Sequence, residues 1–217
     1  KFMDVSVTAY RNNFSRNWYK LDAVKYNALA DPAIKSVPIA TILDNPIQYA
    51  SEYEVITGST SPNDDALFVR NNNRDYYSQG IQTTVGLNFD SGIISNDLEV
   101  GFRYHRDEED RFQWDDQYKM DNGTMMLTKA GTPGTQDNRI GDATALAAYM
   151  QYRFGVGKFL AIPGLRYESI ELTRTDYGKA DPERTGATVK KTSNQVDVWI
   201  PGIGLEYEFT EYVQAFA

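Results

Sequence analysis

The chain has 217 residues, with 30 acidic against 22 basic side chains for a net charge of −8, and no cysteine. The acidic balance without a basic stripe argues against nucleic-acid binding, and the missing cysteine removes disulfides, zinc–thiolate sites and cysteine nucleophiles together. No run of 18 apolar residues occurs, so nothing reads as a transmembrane helix; a membrane barrel stays open, because its strands alternate and each gives only a weak signal.

In chain order, Val5, Val7 and Ala9 alternate with Ser6, Thr8 and Tyr10, which predicts a first strand leaving through Asn12-Asn13-Phe14. A long connection follows, to about Val69. Within Ser36–Thr57, Pro38 and Pro46 each open a block suited to a short helix. Asp44-Asn45-Pro46 separates the two blocks, and Ile47, Ala50 and Tyr53 suggest a modest apolar face.

Arg74–Asp90 is the cleanest strand. Tyr77, Gln79, Ile81, Thr83, Val85, Leu87 and Phe89 form one face; Tyr76, Ser78, Gly80, Gln82, Thr84 and Gly86 form the other. A small, polar face of this kind suggests a wet interior. After a short connection at Ser91–Asp97, Leu98, Val100, Phe102 and Tyr104 alternate with Glu99, Gly101, Arg103 and His105. A sandwich core could not bury Glu99 and Arg103 unpaired. Arg106–Asp142 is polar and reads as a long irregular loop.

Thr144–Ser169 reads as a hairpin with arms of about 10 residues, the length a tilted strand needs to cross a bilayer. Leu146, Ala148, Met150, Tyr152 and Phe154 share a face, and Gly155–Lys158 supplies the turn. Glu171–Asn194 is another polar loop. Val196–Glu208 is a strand with Trp199, Ile203, Leu205 and Tyr207 opposite Gly202, Gly204 and Glu206. Phe209–Glu211 is a tight turn before a last strand. Lys1 and Ala217 both fall in strand-like sequence, which suggests a segment of a longer polypeptide.

The connections alternate between long and short. Long loops on one side and short turns on the other are the layout of an outer-membrane barrel. A soluble sandwich or a lipocalin-like barrel is the competing architecture. Seven strands with many small inward residues are too few, and too poorly filling, for a narrow closed barrel, which favours an arc of a wider one. The fold expected is therefore all-β: an antiparallel transmembrane β-barrel arc of about seven long strands, with short helices in an extracellular loop.

Four short motifs, in order and each on an expected strand, carry a family resemblance. Asn72–Gln82 (NNRDYYSQGIQ) resembles the N-R-x-Y-x-S-x-G-I-E stretch of TonB-dependent outer-membrane receptors. Arg103-Tyr104-His105 with Asp107 is similar to the family's strand-end pattern. Pro163–Glu168 (PGLRYE) resembles its P-G-x-R-Y-E strand, and Trp199–Leu205 resembles its L-P-G-x-x-L strand. The resemblance spans roughly 1–217, lies wholly in the barrel domain, and is nearest the ferric citrate receptor branch.

The resemblance implies a 22-stranded, plugged barrel in the bacterial outer membrane. It implies uptake of a ferric siderophore or other metal chelate, energised by TonB through a plug segment that this sequence does not contain, and contact with outer-membrane lipid and lipopolysaccharide. No nucleophile-elbow, P-loop or dinucleotide motif occurs, so no enzyme activity and no cofactor are expected, and the charge balance leaves no nucleic-acid partner expected. The alternatives are a passive outer-membrane pore or adhesin barrel, and a soluble β-rich ligand-binding protein.

Candidate ligand contacts are Arg103, His105, Arg106 and Arg111, since guanidinium groups bind anionic chelates through charge-assisted hydrogen bonds. Arg74, Glu99, Arg166 and Glu168 are expected on a lumen wall. No catalytic residue and no metal site is expected: His105 is the only histidine. Asp107-Glu108-Glu109-Asp110 offers oxygen ligands but no calcium-loop spacing, and a solvated loop is the plainer reading.

Overall fold

A computed structural model of the chain describes residues 2–58 and 61–217. Its elements are β1 (Met3–Val24), β2 (Val37–Pro38), α1 (Ile39–Asp44), α2 (Ala50–Thr57), β3 (Leu67–Ser91), β4 (Ile94–Asp121), β5 (Thr124–Lys129), β6 (Asp137–Val156), β7 (Phe159–Asp176), β8 (Lys190–Thr210) and β9 (Val213–Phe216). The strands form one antiparallel sheet in the order β2-β1-β3-β4-β6-β7-β8-β9, with β5 paired to β4. Chain order is spatial order along the six long strands. This is the expected arc, with β9 as its seventh strand.

The strands run much further than hydrophobic alternation suggests. β4 has 28 residues and β3 has 25, whereas about 9–11 suffice to cross a bilayer. Three expected loops shrink accordingly. Phe14–Val69 keeps only the excursion between Val24 and Leu67. Arg106–Asp142 becomes the upper halves of β4 and β6 plus the small hairpin β4–β5. Glu171–Asn194 shrinks to the segment between Asp176 and Lys190.

The physical reason is that both faces of these upper strands are wet, so no apolar alternation marks them. Cross-strand polar pairs hold them instead. Arg74 Nη1 donates to Glu109 at 2.7 Å, Asn71 Nδ2 donates to Asp116 at 2.8 Å, and Arg70 pairs with Asp115.

The short connections are tight. β3–β4 and β6–β7 are joined by two-residue turns, Gly92-Ile93 and Gly157-Lys158, whose leading glycines take φ of +64° and +58°. That conformation suits a hairpin turn and needs no Cβ. Ser91–Asp97 is thus shorter than expected, because pairing resumes at Ile94. Long loops and short turns do fall at opposite ends of the sheet.

Two helices do form, and Pro38 caps α1 as expected, but the second starts later than expected: Pro46 lies in a turn, and α2 begins at Ala50 after Tyr49. The apolar face is different too: Ile47 is 93% exposed, while Ile42 and Val55 are buried. Those two join Val24, Ala66, Leu67 and Met120 in the single buried apolar cluster among the described residues. The cluster clamps the excursion onto the tops of β1, β3 and β4, beyond the expected bilayer span.

Candidate functional site: the concave face of the arc

Strand alternation and register divide the arc into two faces. One carries Ile81, Val85, Leu87, Leu98, Val100, Phe102, Leu146, Met150, Leu165, Ile203 and Leu205, a continuous apolar band. Many of these are well exposed: Met150 51%, Phe102 49%, Ile203 68%. Aromatic pairs flank the band. Tyr167 and Trp199 have ring centroids 4.7 Å apart towards the loop end, and Tyr152–Phe154 and Tyr207–Phe209 sit at the turn end, 5.6 and 4.9 Å apart. A bare apolar belt between aromatic girdles is the outer surface of a membrane barrel.

The other face is concave. Phe14 on β1, Ser78 on β3, Asp107 on β4, Ala143 on β6, Leu172 on β7 and Thr192 on β8 line one hollow of about 940 Å³. Four expected wall residues belong to this face. Lowest lie Glu99, which accepts from the Tyr149 hydroxyl at 2.7 Å, and Arg166, which donates to Glu168 at 2.6 Å with its guanidinium 6.0 Å from the Tyr149 ring. Arg74 stands on the same face, far higher. Tyr149 lies across Gly101 and Tyr10 across Gly80, so the small inward residues are roofed by tyrosines of the neighbouring strands.

One level up, Tyr10, Arg103, His105 and Asp107 form a chain. Arg103 Nη2 donates to the Tyr10 hydroxyl at 2.9 Å. That hydroxyl lies 2.6 Å from His105 Nδ1, and His105 Nε2 lies 3.3 Å from Asp107. The tautomer that satisfies every contact has Nδ1 accepting from the Tyr10 hydroxyl and from Arg103 Nη2, 3.3 Å away, which leaves Nε2–H to donate to Asp107. Tyr10 was not visible as a candidate: its partner is 95 residues away.

Higher still is the most unusual feature. Arg16 pairs in register with Arg74, Arg74 with Arg111, and Arg111 with Arg139. Four arginines therefore stand side by side on four adjacent strands. Asp176 and Lys190 continue the row on β7 and β8. Like charges directly opposite cost roughly 0.2–1 kcal/mol per pair. Two carboxylates offset part of that. Glu109 accepts from Arg74 at 2.7 Å and Arg111 at 2.9 Å; Asp137 lies 3.4 Å from Arg111 and 3.5 Å from Arg139.

Arg16 has no carboxylate partner among the described residues. Its guanidinium lies 4.1 Å from the Trp18 ring centroid and donates to the Tyr76 hydroxyl at 3.1 Å, and its Nε is buried without a partner. Above the row, Arg70 pairs with Asp115 and Asp22, and the Asp115 hydrogen bond raises its already high pKa.

The candidate ligand residues are thus separated. Arg103, His105 and Arg111 share the concave face. Arg106 points to the opposite one, 3.5 Å from Asp142 and 3.9 Å from Glu108. The run 107–110 is strand, so Asp107 and Glu109 face in while Glu108 and Asp110 face out. Among the described residues no group of histidine and carboxylate side chains could hold a metal ion. Arg16, Trp18 and Arg139 were missed because they lie in stretches that read as loops; only register brings them together.

A family model described as "TonB dependent receptor-like, beta-barrel" matches residues 4–217. No curated protein matches the sequence. Solved structures that share the fold include a siderophore receptor and a ferric citrate transporter. The siderophore receptor PiuA from Acinetobacter baumannii superposes with a TM-score of 0.62 over 97% of this chain, at 11% identity. The ferric citrate transporter FecA in its unliganded form gives 0.50 over 70%, at 16% identity. The chain spans 28% and 21% of the length of those two proteins. By fold, by the two-faced build of its strands and by the match along nearly its whole length, the chain belongs to the TonB-dependent receptor β-barrel family.

Proposed function

We propose that this chain forms part of the barrel wall and extracellular loops of a bacterial outer-membrane receptor. The receptor imports a ferric siderophore or similar ferric chelate with energy delivered through TonB. The observation that carries the reading is the pairing of an exposed apolar belt on one face with a charged, hollowed face on the other. The belt meets outer-membrane lipid and lipopolysaccharide; the hollowed face is the solute path. Membership of a transport and receptor family supports this, as does a fold shared with a siderophore receptor and a ferric citrate transporter.

The test is growth and radioactive-iron uptake with the full-length receptor as the sole uptake system, under iron limitation and with a panel of ferric chelates. At least one chelate should support growth, and loss of TonB should abolish it. Uptake of every chelate at the receptor-free rate would overturn the reading. TonB-independent, unsaturable uptake would favour a passive pore.

A further inference from the structure

We propose that the arginine row Arg16–Arg74–Arg111–Arg139 is a landing site for a multiply charged anion with a flat, conjugated face, and that it selects solutes by charge; this rests on the reading of the concave face as the solute path. The row is costly in the empty wall. Three successive strand pairs each place arginine directly opposite arginine, and with Asp176 and Lys190 continuing the row, five cations stand against three carboxylates, Glu109, Asp137 and Asp176. This surplus sits on a chain whose net charge is −8, so it is a local arrangement that opposes the overall balance.

The position suits capture. Arg111 lies seven residues beyond Tyr104 on β4, about 23 Å along the strand above the apolar band. The row therefore stands in the outer vestibule, at the rim of the 940 Å³ hollow that Glu109, Gly141 and Arg174 line just below. A hollow of that size holds a drug-sized solute. Four strands at about 4.8 Å spacing place the outer two arginines about 14 Å apart, more than one carboxylate can span.

The aromatic half of the class comes from Arg16. Trp18 and Phe14 flank it on the same face, and each is 60% exposed. Arg16 lies against Trp18, and Phe14 lies against Tyr76 with ring centroids 5.8 Å apart. An incoming anion thus meets guanidinium edges that carry charge and aromatic faces that take a planar group. Arg16 is the member of the row free to exchange water for ligand oxygens, because no carboxylate among the described residues engages it.

The experiment uses the full-length receptor in detergent and isothermal titration with three probes: benzene-1,3,5-tricarboxylate, ferric citrate and an uncharged ferric trihydroxamate. An anion should bind, with affinity falling as salt rises, and Arg16→Gln or Arg139→Gln should weaken it about tenfold or more, the scale of one charge-assisted hydrogen bond. Arg11→Gln, on the opposite face, should leave it unchanged. If anions bind equally well to wild type and both row variants, the inference is overturned while the uptake reading stands. The same holds if only the neutral chelate binds. If the metal-free tricarboxylate binds in an arginine-dependent way but no iron chelate binds or supports growth, the inference stands and the iron reading fails. If none of the probes binds, the inference is overturned.

Discussion

Arg184 closes a two-pronged ion pair on Asp110, 74 residues earlier in the chain: Nη1 donates at 2.8 Å and Nη2 at 2.5 Å. The same guanidinium lies over the rings of Phe112 and Tyr177, 4.6 and 5.1 Å from their centroids, and its Nε donates to Asn138 at 2.7 Å. One side chain thus ties the β7–β8 loop to both β4 and β6, and the Asp110 hydrogen bond pushes its pKa up further. Arg184→Ala should cost the loop about 1.5–3 kcal/mol, the scale of a hydrogen bond to a charged partner. Hydrogen exchange should then quicken across 177–189 while the lower half of β7 stays protected. A double-mutant cycle with Asp110→Asn should show strong coupling. Simple additivity would mean that the pair holds nothing.

The same loop carries an acid-sensitive clasp. Asp181 is buried and accepts from the Thr185 N–H (2.8 Å), the Thr185 hydroxyl (2.9 Å) and the Gly186 N–H (2.8 Å). Burial alone would raise its carboxyl pKa; these donors outweigh it and hold the carboxyl below the ordinary 3.8. With the folded value depressed, the stabilisation is present in full above the unfolded value and is lost as pH falls through the lower folded one. The amides of Thr185 and Gly186 should therefore remain protected at pH 5 and open only below about 4. Asp181→Asn should remove the pH dependence. Amide opening that already sets in near pH 6 would contradict the clasp.

How much of this could be read from sequence follows the solvent around each segment. The hairpin through Gly157 was legible because lipid demands that Leu146, Met150 and Phe154 alternate with Ala147, Tyr149 and Gln151. Pro38 announced α1 for an equally local reason, whereas Pro46 marked only the turn that precedes α2. The upper halves of β1, β4 and β6, and the few residues of β3 before Arg74, were not legible: water on both faces removes the alternation, and what pairs them are contacts such as Arg74–Glu109 that join distant residues. Asn122-Gly123, with φ of +46° and +81°, is a strong hairpin signal, yet it lay inside a stretch read as one irregular polar loop. The arginine row was invisible for the same cause as the Tyr10–His105 contact: register is a property of the sheet, and no local pattern encodes it.

The two faces make opposite demands on one strand. Val85 points out into the apolar band and Thr84 points in, one residue away. Val85→Arg should destabilise the membrane-embedded receptor by about 2–4 kcal/mol, whereas Thr84→Arg should cost close to nothing. Spin labels at the two positions give an independent reading. Oxygen, which partitions into lipid, should quench the Val85 label, and a water-soluble nickel chelate should reach the Thr84 label. Equal access of the nickel chelate to both would remove the lipid assignment.

Glycines on the concave face should behave unequally. A Cβ on Gly101 would fall 2.0 Å from Cε1 of Tyr149, while one on Gly202 would meet nothing within 4 Å. Gly101→Ala should displace the tyrosine, break its hydrogen bond to Glu99 and cost about 1–3 kcal/mol through overpacking. Gly202→Ala should be neutral, or stabilising by about 0.5–1 kcal/mol through lost backbone freedom in the unfolded chain. Thermal unfolding of the full receptor in detergent would rank them. Equal midpoints would show that Tyr149 yields freely.

Gly141 allows a test of the hollow without disturbing the wall. It stands on the concave face of β6 between Glu109 and Arg174, lines the hollow, and leaves open space where a side chain would be. Phenylalanine there can project only into that space, so it should fill part of the hollow and keep the strand pairing intact. Gly141→Phe should therefore unfold within about 0.5 kcal/mol of wild type, as a surface change does, yet lose most chelate binding and uptake. Gly141→Ala, adding a single methyl, should retain both. Wild-type uptake by the phenylalanine variant would place the solute path elsewhere. Loss of uptake in the alanine variant as well would point to a backbone role for this glycine in place of the steric one argued from its empty surroundings.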